Sequence, residues 1–278
     1  MMKTPYDAEL AAPALPIARG SHDTAAVVRL QEWLVTRGYR IWLDPKNAPA
    51  IDGDFGPGTQ AGVEAFAKDN AIAPLVDERF WLRLTSPMLA ASSFRPTARE
   101  LGAAIVQVAQ AHLLQQPREA RAIVDGRLVG ADNSGPWVRA YLGPSVPAPW
   151  CQGFVNRVRD QAASALGVAL EVPSTVGGQY SLWVPNFVAA CRSKGRLVSG
   201  RSLSGAVAPG SMFFVPGTIN GQASHIHVGI VVEDRGAEIV TVEGNTADDG
   251  SANGWLVLRR HRPKAACDYG LVGPAPSR

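Results

Sequence analysis

Apolar residues recur at helical spacing through the first half of the chain and give way, beyond Gly167, to short runs typical of strands. From Ser21 onward, Val27, Leu30 and Leu34 fall on one helical face. Ser21 or Asp23 is placed to cap the first turn, and Gly38 to end the helix as a C′ glycine. A glycine-rich turn over 51–58 leads to a second helix from Thr59, carrying Val63 and Phe66, and a third short helix carries Phe80, Trp81 and Leu84. Three such helices predict a small bundle. Residues 1–20, rich in Ala and Pro, read as a loosely ordered leader, and Pro and Ser from Ser86 onward suggest a break. The predicted organisation is a leader (1–20), a helical domain (21–90), a linker (91–100) and a second domain (101–278).

The second domain opens with a helix bearing Leu101, Ile105 and Val108. A second helix starts at Cys151, with Phe154, Val155, Val158 and Ala162 on its inner side. Strands are predicted over 212–215, 227–232, 239–242 and 255–260, separated by Gly, Asn and Asp turns. Helices followed by antiparallel strands define an α+β fold. No internal repeat is evident.

Composition narrows the field. A chain of 278 residues, 46% hydrophobic and 18% charged, is long enough for two domains with cores of their own. The net charge of +3, from 27 basic and 24 acidic residues without a dense basic run, argues against a nucleic-acid partner. Three cysteines, an odd and sparse count, argue against a disulfide framework. Prolines and charges interrupt the first residues, so neither a secretory signal nor a membrane span is expected. Synthesis in the cytoplasm, without a leader or a membrane partner, is the resulting expectation.

The chemistry gathers around Cys151. At the start of a helix, unpaired backbone N–H groups and the helix dipole favour a thiolate. Downstream, His225 and His227 stand two apart on a strand and by alternation share a face, as do Glu243 and Asn245 on the next. A nucleophilic thiol needs a base, and that base needs an orienting group, here expected to act through Nδ1–H of the imidazole. A rival reading takes the His-x-His pair, with Glu243 or Cys151, as zinc ligands. Cys191 and Cys267 read as core residues, and His22, His112 and His261 as surface or packing residues. Trp150, beside the thiol, either walls a cleft or packs on the sheet.

Two resemblances sharpen these expectations. Leu30-Gln31, Asp52-Gly-Asp-Phe-Gly-Pro-Gly-Thr59, Gly62-Val-Glu-Ala-Phe66 and Trp81-Leu-Arg-Leu84 resemble the three-helix type of bacterial peptidoglycan-binding domain, with a longer insertion over 42–50 and Phe80 where threonine is usual. That likeness implies a wall-binding module, with Asp52 and Phe55 among its substrate-binding residues. Pro149-Trp-Cys-Gln-Gly-Phe-Val155, Gly210-Ser-Met-Phe-Phe214, His227-Val-Gly-Ile-Val231 and Val242-Glu-Gly-Asn-Thr246 resemble the CHAP branch of the NlpC/P60-like, papain-like cysteine peptidases and amidases, with Gly153 where alanine is more usual. The resemblance implies Cys151 as nucleophile, His227 as base, and Glu243 and Asn245 as orienting residues, with Trp150 and His225 lining the cleft. It implies no metal or organic cofactor, and hydrolysis of a stem-peptide amide bond, as a muramoyl–alanine amidase or an endopeptidase. The Cys151 N–H is the expected oxyanion donor. Peptidoglycan is the implied partner. A phage endolysin or an injected effector, the latter with a secretion apparatus and an immunity protein, fits a chain without a leader. A zinc hydrolase and a non-catalytic wall-binding protein are the alternatives from other classes.

Overall fold

The computed structural model describes residues 5–143, 147–176, 179–248 and 253–272. In chain order its elements begin with α1 (Pro5–Leu10), α2 (Thr24–Thr36), α3 (Pro57–Asp69), α4 (Glu78–Ser93), α5 (Leu101–Leu114), β1 (Ala122–Val124), β2 (Arg127–Val129) and α6 (Pro136–Leu142). They continue with α7 (Cys151–Leu166), β3 (Thr175–Val176), β4 (Gln179–Tyr180), α8 (Val184–Ser193) and β5 (Leu197–Ser199). The last strands are β6 (Met212–Ile219), β7 (Gln222–Asp234), β8 (Glu238–Thr246), β9 (Leu256–Pro263) and β10 (Asp268–Gly270). The chain is thus a mixed α+β protein with antiparallel sheets. Among the described residues no helix is long and apolar enough to cross a membrane.

Two compact units result, Met1–Ala90 with Pro117–Ala148, and Ala91–Gln116 with Pro149–Arg278. The sequence predicted a simple division in order, but residues 117–148 belong with the first unit. The reason is a long-range ion cluster that no local pattern announces. Arg139 of α6 donates from Nε to Glu9 at 2.8 Å and from Nη2 to Glu32 at 2.6 Å. Both carboxylates raise the guanidinium pKa against the lowering effect of burial.

The same cluster corrects the expected loose leader. Pro5–Leu10 is helical with Tyr6 and Glu9 buried. Arg29 closes the end of this helix by donating to the carbonyls of Ala8, Glu9 and Ala11. Ile17 is buried and bridges Val76.

Of the two offered caps, Asp23 starts α2, accepting from the Ala26 amide at 3.0 Å. Gly38 ends the helix at φ +84°. The expected break from Ser86 is instead the second half of α4. Pro87 lacks the N–H that would reach the Arg83 carbonyl, and the Ser86 hydroxyl donates to that carbonyl at 2.8 Å instead. Val27, Leu30, Trp33, Phe66, Phe80 and Leu84 fill the core of this unit.

The second unit is built on a six-stranded sheet ordered β5-β10-β6-β7-β8-β9. The predicted strands are β6, β7 and β8 in its middle and β9 at one edge, and they run longer than their apolar runs suggested. The segment beyond Gly167 also holds α8, with Phe187, Val188 and Cys191 buried. Helices α5 and α7 pack through His112, which lies edge-on to Phe154 and bonds Gln161 at 3.0 Å. Burial lowers the His112 pKa to about 4, so this ring is a neutral packing residue. Gly244 lets α7 approach β8, since a Cβ there would lie 2.7 Å from Phe154 and 2.9 Å from Trp150.

Candidate active site

Cys151 is the first residue of α7, and the preceding Trp150 offers no side-chain cap. The first bond across this turn runs from the Phe154 amide to the Trp150 carbonyl at 2.9 Å. The amides of Cys151, Gln152 and Gly153 therefore lie outside the helical ladder. Cys151 as a residue is 3% exposed.

His227 lies on β7 with its side chain fully buried. Its Nε2 meets Glu243 Oε2 at 2.9 Å across the β7–β8 pair. Ile230 pairs with Val242, so Glu243 stands across from Gly229 and reaches diagonally to His227. Gly229 leaves room for that reach, because a Cβ there would meet Glu243 Cγ at 2.9 Å and the Phe213 ring at 2.6 Å. Thr241 Oγ1 donates to Glu243 Oε1 at 2.5 Å. Arg262 Nε and Nη2 donate to the two carboxylate oxygens at 2.6 Å each.

These contacts set the charges. Burial pushes the Glu243 pKa up, but the hydrogen bonds from Arg262 and then His227 outweigh it and hold the carboxyl at about 2. Burial likewise disfavours a charged His227, yet Cys151 and Glu243 raise its pKa to about 9. The imidazole is thus a cation at neutral pH, held between a carboxylate and a thiol. With Nε2 taken by Glu243, Nδ1 is buried and meets no hydrogen-bond partner among the described residues. It is the ring nitrogen left for Cys151. The sequence placed the orienting bond on Nδ1; the structure puts it on Nε2.

His225 and His227 do not share a face, contrary to simple alternation. Val215 pairs with His227 and Pro216 with His225, so Ile226 is an extra residue in a bulge. Successive residues of β6 face opposite ways, and the two histidines follow them. His225 bonds Asp268 at 2.9 Å and lies edge-on to Phe214. The imidazoles are thus claimed by different carboxylates and are not preset as a pair of zinc ligands. Among the described residues no group of three or more His, Cys, Asp and Glu side chains is placed to hold a metal ion.

Among the described residues no hydrogen bond joins Asn245 to His227. Asn245 adopts φ +55°, a left-handed conformation that Asn tolerates, where the pairing of β8 with β9 becomes irregular. Its Nδ2 donates to Asn253 at 3.3 Å and its carbonyl accepts from the Gly254 amide, so it fastens the β8–β9 connection. Trp150 is fully buried against Gly244, which is the packing alternative. In the first unit, Phe55 is a core residue rather than a surface one. The Asp52 carboxylate is engaged by Gln31 Nε2 at 2.8 Å and by the Asp54 amide at 2.9 Å.

Arg262 and Thr241 were not singled out from the sequence, and Gln31 entered only as part of the Leu30-Gln31 motif. For Thr241 a signal existed: with Glu243 it places two polar residues on one face of a strand otherwise apolar from Ile239 to Val242. No protein-family profile, curated protein or solved structure matches the chain.

Proposed function

We propose that the chain is a cysteine hydrolase of the peptidoglycan stem peptide. In this reading the second unit is a CHAP-type, papain-like catalytic domain, and the helical first unit holds the enzyme on the wall. The observation that carries it is the buried succession Cys151, His227, Glu243, with one imidazole nitrogen left over for the thiol.

Sγ of Cys151, as thiolate, attacks the amide carbon, and the oxygen takes up the negative charge beside the free amides at the start of α7. The C–N bond then breaks while His227 gives its proton to the leaving amine, which leaves a thioester. Neutral His227 takes a proton from water, and the hydroxide equivalent attacks the thioester carbon. Breaking the C–S bond releases the acid and restores the thiolate and imidazolium. Glu243 stays ionised throughout and keeps the ring cationic when it must be. Cys191 and Cys267 do not compete, because burial pushes each thiol up to about 11. Delivery by lysis, as a phage endolysin, or by injection with a cognate immunity protein completes the proposal.

The test is digestion of purified sacculi, with mass spectrometry of the released muropeptides to name the scissile bond. Cys151→Ala is expected to fold normally and to lose about a thousandfold or more in turnover. Iodoacetamide should inactivate the wild type, and EDTA should leave it active. An alanine variant that clears sacculi near the wild-type rate would overturn the reading, and loss of activity in EDTA would favour the zinc alternative.

A further inference from the structure

Glu243 is fully buried, and His227 is only one of the groups that hold it. Oε2 is shared between His227 Nε2 and Arg262 Nη2, so two cationic side chains converge on one carboxylate oxygen. Oε1 accepts from Arg262 Nε and from Thr241. The guanidinium sits over the Phe213 ring at 5.2 Å, and the same ring lies 6.2 Å from that of His227. Phe213 thus backs both cations. We propose that Arg262 is a positioning residue of the Cys151–His227 pair, acting through the shared Glu243 carboxylate. This rests on the cysteine-hydrolase reading and adds a fourth member to its site.

The physical argument concerns what a buried carboxylate does without its strongest donor. Burial favours the neutral acid, and Arg262 supplies two parallel charge-assisted bonds that reverse this preference. Without them a buried histidine–glutamate pair can discharge by passing one proton across its own hydrogen bond. A neutral imidazole then faces Cys151, and nothing cationic remains to hold the thiolate. The bidentate grip also fixes the plane of the carboxylate, and with it the ring angle that turns Nδ1 toward the thiol. The titratable groups facing this chain are Cys151 from α7, Glu243 from β8, Arg262 from β9, and Cys267 beside β10, a thiol that burial keeps protonated. Arg262 is thus the first of the two cations that hold the carboxylate ionised. Lysine carries the charge but lacks the planar fork.

The experiment follows alkylation of Cys151 in the full chain by iodoacetamide from pH 5 to 10, read by mass spectrometry. Wild type is compared with Arg262→Met and Arg262→Lys, with circular dichroism as the folding control. Arg262→Met is expected to move the midpoint of the rate profile up by about one pH unit, making alkylation about tenfold slower on its acid side. Arg262→Lys should recover part of that loss. Nitrogen NMR of labelled histidine should show His227 losing its cationic form at lower pH in the methionine variant. A folded Arg262→Met with the wild-type profile would overturn the role. If that variant does not fold, an unchanged profile in Arg262→Lys would do the same. Wild-type Cys151 reacting no faster than Cys191 and Cys267 would instead overturn the hydrolase reading itself.

Discussion

Each unit buries a polar side chain that organises its surroundings, and the two are completed differently. In the first unit, Gln31 donates to Asp52, to the Asp54 carbonyl and to Thr59, at 2.8, 3.0 and 3.0 Å. Its oxygen accepts from the amides of Asp52 and Gly53 at 3.0 and 2.8 Å. Both ends of the amide are satisfied, by the turn that precedes α3 and by Thr59 in the first turn of that helix. In the second unit, Glu243 is equally well served, but the imidazole it holds keeps Nδ1 without a hydrogen-bond partner among the described residues. A buried polar group whose valences are filled is scaffolding. One that is held rigidly and left with a single open valence next to a thiol is prepared to react.

The comparison can be broken most severely at the open valence. His227→Ala is expected to reduce turnover about a thousandfold or more, while His225→Ala, on the other face of the strand, keeps substantial activity. Assay of both variants on soluble muropeptides checks this, and the reverse ranking would move the base to His225. The next effect belongs to the support. Glu243→Gln should cost roughly 10² to 10⁴-fold, no more than loss of His227, and Asn245→Ala should cost far less in a folded protein. Equal losses at both positions would mean that the β8–β9 connection, rather than the carboxylate, sets the ring.

A pH profile sharpens the contrast without mutation. His227 has its pKa raised from 6.5 to about 9, so its charged pairing is fully present below pH 6.5 and disappears as pH rises through about 9. Turnover is therefore expected to fall on the alkaline side near pH 9, when the ring can no longer protonate the leaving amine. An inflection near 6.5 would show that Glu243 does not hold the cation in solution. The smallest effect on chemistry belongs to the filled network. Gln31→Ala should leave turnover on soluble muropeptides unchanged and destabilise the first unit by about 1–3 kcal/mol, the cost of stranding the buried Gly53 amide. Urea unfolding measures this, and an unchanged midpoint would mean that water replaces the amide fully.

What was legible in the sequence was local. Cys151 at a helix start, His227 opening an apolar strand and Glu243 on its neighbour all sit in short patterns that a reader can place. Arg262 was hidden because its role depends on the order of strands, which puts β9 beside β8. Arg139 was hidden for the same reason, since its partners Glu9 and Glu32 lie more than a hundred residues away in the chain. The two histidines were misread by strict alternation, yet a signal for the bulge was present. Pro216 cannot donate to a ladder, and inside a central strand it belongs at an irregularity. Alternation assumes extended backbone, and Asn245 leaves the extended region altogether, so its facing could not be read from the pattern.

Ile226 acts as a phase marker in the hairpin of β6 and β7. It is the residue by which β7 outruns its partner between the pairs Val215–His227 and Pro216–His225. Replacing the exposed Ile226 side chain leaves that surplus intact. Deleting the residue would make the two histidines neighbours on a regular ladder, still opposite the same two residues of β6 and still on opposite faces. For this hairpin the extra residue sets the bend, not which imidazole meets Glu243.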